Sequence, residues 1–175
     1  MTRQFVKITM LLLLFMLFNG IVTAQSNDVN GWAKTTWGMS QQEIIKLYPE
    51  AKPLNKGEGY TLNVLIGSNR CDVFLITTGN KLREVTIHVP RDAAREELYE
   101  EFLKSLSAKY GLPTFSNKEP GLLSYKLSST WTFPSTRIEL EYSKLDGKPV
   151  GNMPRIKDFN ALSIKYRPNI SKDNL

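Results

Sequence analysis

Apolar residues return at every second position in several separate stretches of this chain, and that alternation constrains the fold more than any other feature. Tyr60, Leu62, Val64 and Ile66 alternate with Thr61 and Asn63, and a Gly67-Ser68-Asn69-Arg70 turn follows. Cys71, Val73, Leu75 and Thr77 come next, interleaved with Asp72, Phe74 and Ile76, so both faces are partly apolar and a central strand is expected. Gly79-Asn80 turns the chain into Leu82 to Val89, where Val85, Ile87 and Val89 share a face and Pro90 ends the run. Beyond residue 125 the pattern recurs in Trp131 and Phe133, in Ile138, Leu140 and Tyr142, and in Leu162, Ile164 and Tyr166. A period of two puts side chains alternately on opposite faces, so these segments read as strands with one face toward a core.

Two segments break that period. Ser40 followed by Glu43 is a capping box, with Met39 and Ile44 placed as a hydrophobic staple, and Pro49 stops the short helix it opens. Asp92 is the expected N-cap of a longer helix. There Leu98, Tyr99, Phe102, Leu103, Leu106 and Tyr110 recur at three- and four-residue spacing up to Gly111 and Pro113. The chain therefore predicts an α+β fold of two helix-plus-three-strand units, an antiparallel sheet with helices packed on one face. Residues 37–175 form a single domain with a weak internal duplication, 37–90 and 91–167, and a polar loop is expected from Leu145 to Asn160.

The first 24 residues read as a signal peptide rather than as fold. Arg3 and Lys7 precede the apolar run Met10–Phe18, Asn19-Gly20 breaks it, and Val22-Thr23-Ala24 is a small-residue cleavage site. The run is short of the roughly 20 residues that a spanning helix needs, so no stable membrane span is expected after cleavage. The expected localisation is exported, periplasmic or secreted. Removing those 24 of 175 residues leaves 151, with a loose polar leader at 25–36, and lowers the net charge from +6 to +4. No Cys lies near the cleavage site, which excludes lipid attachment at a new N-terminal Cys. The one Cys, Cys71, has no partner within the chain and sits in an apolar strand, where burial is expected.

Gly38-Met39-Ser40-Gln41-Gln42-Glu43-Ile44, followed by Pro49 and strands of Leu-x-Val and Val-x-Leu type, resembles the helix opening of the small outer-membrane-assembly lipoproteins, the SmpA/OmlA or BamE-like group. The same Gly-Met-Ser start is similar to β-lactamase-inhibitor-like domains. With Lys109-Tyr110-Gly111-Leu112-Pro113 and the Trp131 strand, the chain also resembles uncharacterised exported bacterial proteins. The resemblance implies tandem helix-plus-hairpin units.

One His and one Cys leave little room for nucleophilic or zinc chemistry within one chain. No phosphate-binding, metal or covalent-catalysis motif is present, so no catalytic residue, cofactor or metal is assigned. His88, on the polar side of its strand, reads as solvated, as do the carboxylates Glu96, Glu97, Glu100 and Glu101. Lys148, Arg155 and Lys157 gather in the 145–160 loop, near Lys144 and Lys165, and can meet a protein or an anionic envelope component. Trp32, in the polar leader, is the aromatic candidate for the same contact, while Trp37 and Trp131 are expected in the core. Nucleic acid is disfavoured, because the basic residues lack interleaved aromatics. The expected function is thus an exported, non-enzymatic binding or envelope-associated protein. An envelope hydrolase using the carboxylates and an inhibitor of a secreted enzyme are the alternatives.

Overall fold

The computed structural model describes residues 28–54, 58–121, 124–145, 147 and 158–169. Among these residues two helices, α1 (Gln41–Leu47) and α2 (Glu96–Tyr110), are set among eight strands: β1 (Lys52–Pro53), β2 (Gly59–Ile66), β3 (Asn69–Thr78), β4 (Lys81–Val89), β5 (Phe115–Pro120), β6 (Ser124–Thr132), β7 (Thr136–Leu145) and β8 (Phe159–Pro168). All eight join in one antiparallel sheet of order β1-β2-β3-β4-β8-β7-β6-β5.

This corrects the expected fold. The chain does not build two helix-plus-three-strand units; it is mostly strand, in one continuous eight-stranded sheet. Two strands escape the reading of alternation. β1 has two residues, and every residue of β5 is exposed, so neither edge strand has an apolar face to betray it. β5 exists because Phe115 to Pro120 pair residue by residue with Thr130 back to Tyr125. The last strands are also longer than alternation alone suggests, since β7 runs to Leu145 and β8 begins at Phe159.

The centre of the sheet is the β4–β8 pairing, where Val85, Ile87 and Val89 lie opposite Tyr166, Ile164 and Leu162. Those six are buried, as are Val73 and Leu75 on one side and Ile138, Leu140 and Tyr142 on the other. The period-two pattern of each strand thus merges into one apolar surface. Burying each large side chain there contributes about 1.5–3 kcal/mol. Both helices pack on that surface. Gln41 of α1 donates to the Thr77 hydroxyl (2.8 Å), and Tyr99 of α2 shares a 2.8 Å hydrogen bond with Ser129. Thr77 and Ser129 are both buried residues of the inward-facing set.

α1 starts as its capping box requires. The Glu43 amide donates to the Ser40 hydroxyl, and the Ser40 amide donates to the Glu43 carboxylate (2.8 Å). α2 starts later than expected. Its N-cap is Arg95, which makes no side-chain cap bond, and Asp92 falls in the turn before it. Gly111 closes the helix at φ +83°, a conformation that favours glycine. Trp131 is fully buried and donates its indole N–H to the Gly111 carbonyl (2.8 Å), tying the end of α2 to β6.

The leader is held down over its described part. Asp28 accepts from the Ser135 amide (2.9 Å) and hydroxyl, and the Val29 carbonyl accepts from Thr136. Trp37 is half-buried and donates to the same Thr136 hydroxyl, so residues 28–37 strap the start of β7. No helix among the described residues is long and apolar enough to cross a membrane.

Candidate binding face

With both helices on one side, no described element covers the other face of the sheet. Side chains alternate along each strand, so the register fixes which residues share that face. Across its middle runs the row Asn63, Asp72, His88, Ser163, Glu141, Ser128 and Asn117, one residue from each of seven neighbouring strands. Beside it, Thr61, Phe74, Thr86, Lys165, Glu139, Thr130 and Phe115 form a second row.

The face has two chemical halves. Toward β2 and β3 it is apolar: Phe74 and Ile76 are half-buried, and Leu65 is 74% exposed. From β4 to β6 it is charged, and most of the charges are paired. Arg167 bridges Glu84 (2.8 Å) and Glu139 (3.6 Å), Arg137 also meets Glu139 (2.9 Å), and Lys126 meets Glu141 (2.6 Å). Such surface pairs, here with partly shielded carboxylates, each contribute little to stability, about 0–1 kcal/mol; their effect here is to fix where the charges stand. Burial pushes the Glu84 carboxyl up, but hydrogen bonds from Thr86 and Arg167 and the charges of Arg167 and Lys165 outweigh it, and the net direction is down. Lys165 lies between these carboxylates, directly opposite Glu139 and Thr86, with no ion pair within 4.0 Å among the described residues.

His88 stands at the middle of the polar row. Its ring meets Phe74 edge-on at 5.3 Å, and the contact strips water from one side of the imidazole. That desolvation lowers its pKa, and the positive charge of Lys165 adds to the effect against the opposing pull of Asp72 and Glu84. Asp72, His88 and Ser163 are direct cross-strand neighbours in that order, a sequence of groups that invites comparison with an acid–base–nucleophile relay. They are not assembled as one. The Asp72 carboxylate accepts from Asn63, and no hydrogen bond joins Asp72 to His88 or His88 to Ser163. At the end of the face nearest the β7–β8 connection, a hollow of about 270 Å³ opens beside Glu119, Lys126, Leu145 and Phe159. Arg91 lies 4.6 Å over the Phe159 ring.

The residues singled out from sequence are distributed differently. Trp32 is half-buried; its ring lies 6.4 Å from Tyr48 at the end of α1, and the indole packs against the core cluster. Lys148, Arg155 and Lys157 lie outside the described residues. Of the α2 carboxylates, Glu97, Glu100 and Glu101 are exposed, whereas Glu96 accepts from the Tyr125 hydroxyl and lies 3.8 Å from Lys118. Desolvation first, then the bond to Glu96, pushes the Tyr125 hydroxyl well above its ordinary pKa, as suits a structural clamp between α2 and β6. No group of three or more His, Cys, Asp or Glu residues that could hold a metal ion occurs among the described residues. Sequence reasoning missed the face itself. The polar residues of each strand look alike along the chain, and only the strand order sets Asp72, His88 and Ser163 side by side. No family model, curated protein or solved structure matches this chain.

Proposed function

We propose that this chain is an exported, non-enzymatic binding protein that holds a protein or an anionic envelope component against the uncovered face of its sheet. The observation that carries this reading is the one-sided placement of α1 and α2, which leaves a face seven strands wide, apolar over Phe74 and Ile76 and charged around Lys165. An antiparallel sheet can leave one face to solvent, and a face that combines an apolar patch with a charged remainder has the make-up of a protein interface. Export rests on the signal-peptide pattern of residues 1–24. The basic residues Lys148, Arg155 and Lys157 of the β7–β8 connection extend the reading to a second contact with an anionic partner.

The test is capture of partners from an envelope extract by wild-type protein and two variants. Phe74→Ser with Lys165→Ser is expected to abolish capture of a partner that wild type retains, with an unchanged far-ultraviolet circular dichroism spectrum. Undiminished capture by that variant overturns the sheet-face reading. Triple replacement of Lys148, Arg155 and Lys157 by Ser then reads the contribution of the connection separately.

A further inference from the structure

The two edges of the sheet are built differently. β1 is two residues long, ends in Pro53, which has no N–H to offer, and pairs only Tyr60 and Thr61, so that edge passes to Leu62–Ile66 of β2, which have no outer strand neighbour among the described residues. β5 is six residues long, and all six are exposed. Its outward hydrogen-bonding groups follow from its pairing with β6. The Gly121 amide donates to the Ser124 carbonyl (2.6 Å), which makes that pair, one step beyond Pro120 and Tyr125, hydrogen-bonded. Hydrogen-bonded and non-hydrogen-bonded positions alternate along an antiparallel pair. Phe115, Asn117 and Glu119 therefore direct their backbone groups toward β6, while Ser116 and Lys118 direct theirs outward.

The side chains agree with that parity. The Ser116 hydroxyl is 2.9 Å from Ser129, and Lys118 reaches inward to Glu96 (3.8 Å) and over the Tyr125 ring (5.0 Å). Lys118 is thus drawn onto the helix-covered side, and its ammonium does not guard the strand edge in the way edge lysines do.

We infer that β5 pairs antiparallel with β5 of a second copy of this chain, with Asn117 opposite Asn117 across a two-fold axis. A two-fold axis perpendicular to the sheet keeps the helices of both copies on one side and pairs residues only within one face. In this register Ser116 of each copy lies opposite Lys118 of the other. Their four outward N–H groups and four outward carbonyls close four hydrogen bonds. Shifting the register by two residues sets Lys118 against Lys118, which like-charge repulsion disfavours. Phe115, 57% exposed on the uncovered face, then lies over the Glu119 stem of the other copy and loses water that it faces alone. A single strand pair buries less than the roughly 1,000 Å² of a stable interface, so the dimer dissociates on dilution. It joins two uncovered faces side by side and doubles the surface that one assembly presents.

The experiment uses sedimentation equilibrium from micromolar to millimolar protein, together with disulfide trapping. Asn117 occupies a non-hydrogen-bonded position, where facing Cα atoms approach to about 4.5 Å, within disulfide range. Asn117→Cys is expected to cross-link between copies under mild oxidation faster than Ser105→Cys, an exposed control on α2; the native Cys71 is buried and does not compete. Lys118→Pro removes one outward N–H from each copy and is expected to weaken the dimer by roughly tenfold or more. Asn117→Asp, which sets two carboxylates against each other without touching the backbone, is expected to weaken it most at low salt. A protein that stays monomeric throughout, with Asn117→Cys no faster than the control, overturns the inference. A dimer unaffected by both Lys118→Pro and Asn117→Asp overturns it equally.

Discussion

The indole N–H of Trp37 donates to the hydroxyl of Thr136 over 2.7 Å, joining two residues 99 positions apart in sequence. The same hydroxyl donates to the Val29 carbonyl, and Thr136 is completely buried. One small side chain thereby holds the N-terminal strap on β7, with a donor and an acceptor both depending on it.

Thr136→Val keeps the shape and removes both bonds, leaving a partly buried indole N–H and a carbonyl without their partner. The expected loss is about 1–3 kcal/mol, from roughly 0.5–1.5 kcal/mol for each of two partly buried hydrogen bonds. Trp37→Phe deletes the donor together with its need, and is expected to cost less. Urea unfolding of the two variants checks the order. Equal losses would show that the hydroxyl network is not what holds the strap.

Ser40→Ala removes the oxygen that caps α1 and is expected to cost about 1 kcal/mol. The Glu43 carboxyl sits below the usual carboxylate range, because its largest influence is the hydrogen bond from the Ser40 hydroxyl, followed by that from the Ser40 amide. Its folded-state pKa is depressed, so the stability it contributes is present above the unfolded value. That stability is lost as pH falls through the folded value. Wild type should therefore lose more stability than Glu43→Gln between pH 6 and pH 3 in urea titrations, and parallel curves would contradict the capping role.

Cys71 is fully buried, and burial pushes its thiol pKa up, with the Asp72 charge adding to the effect. A buried, protonated thiol is a poor nucleophile. The native protein should react with a thiol reagent only at the rate at which it opens, and instantly in urea. Rapid labelling under native conditions would contradict the packing of β3. Cys71→Ser places a hydroxyl in that apolar site and is expected to cost about 1–3 kcal/mol.

His88 should titrate below the ordinary histidine value, since desolvation against Phe74 and then the charge of Lys165 disfavour its cation. Its folded pKa lies under the unfolded one, so stability falls as pH drops through the unfolded value and levels off below the folded one. The imidazole proton resonances measure this directly. Asp72→Asn, which removes a charge that favours the cation, should lower the midpoint further, and Lys165→Met should raise it. A midpoint above the ordinary value would contradict the desolvation of His88 against Phe74 and the influence of Lys165.

Much of the strand content was legible because burial leaves a local trace. Val73 and Leu75, Ile138 and Leu140, and Leu162 and Ile164 each stand two apart, and each turns to the core. The capping box at Ser40 and the Gly111 stop were legible for the same reason, being chemistry contained within one turn of chain. β5 was not, because Phe115 to Pro120 bury nothing and hold their place only through β6. The Asp92 expectation failed because an N-cap is set by where the backbone turns helical. Pro90 and the turn after it delay that point to Arg95.

By itself the sequence determined which residues turn inward, since apolar period and capping chemistry are properties of neighbours in the chain. Tertiary structure alone decided that the strands form one sheet, because β4 and β8 must meet before Ile87 can lie beside Ile164. It also decided that His88 stands between Asp72 and Ser163 and that β5 lies at one end of the sheet. Those relationships depend on pairing between distant segments, and a polar residue shows the same local pattern whichever neighbour the sheet brings to it.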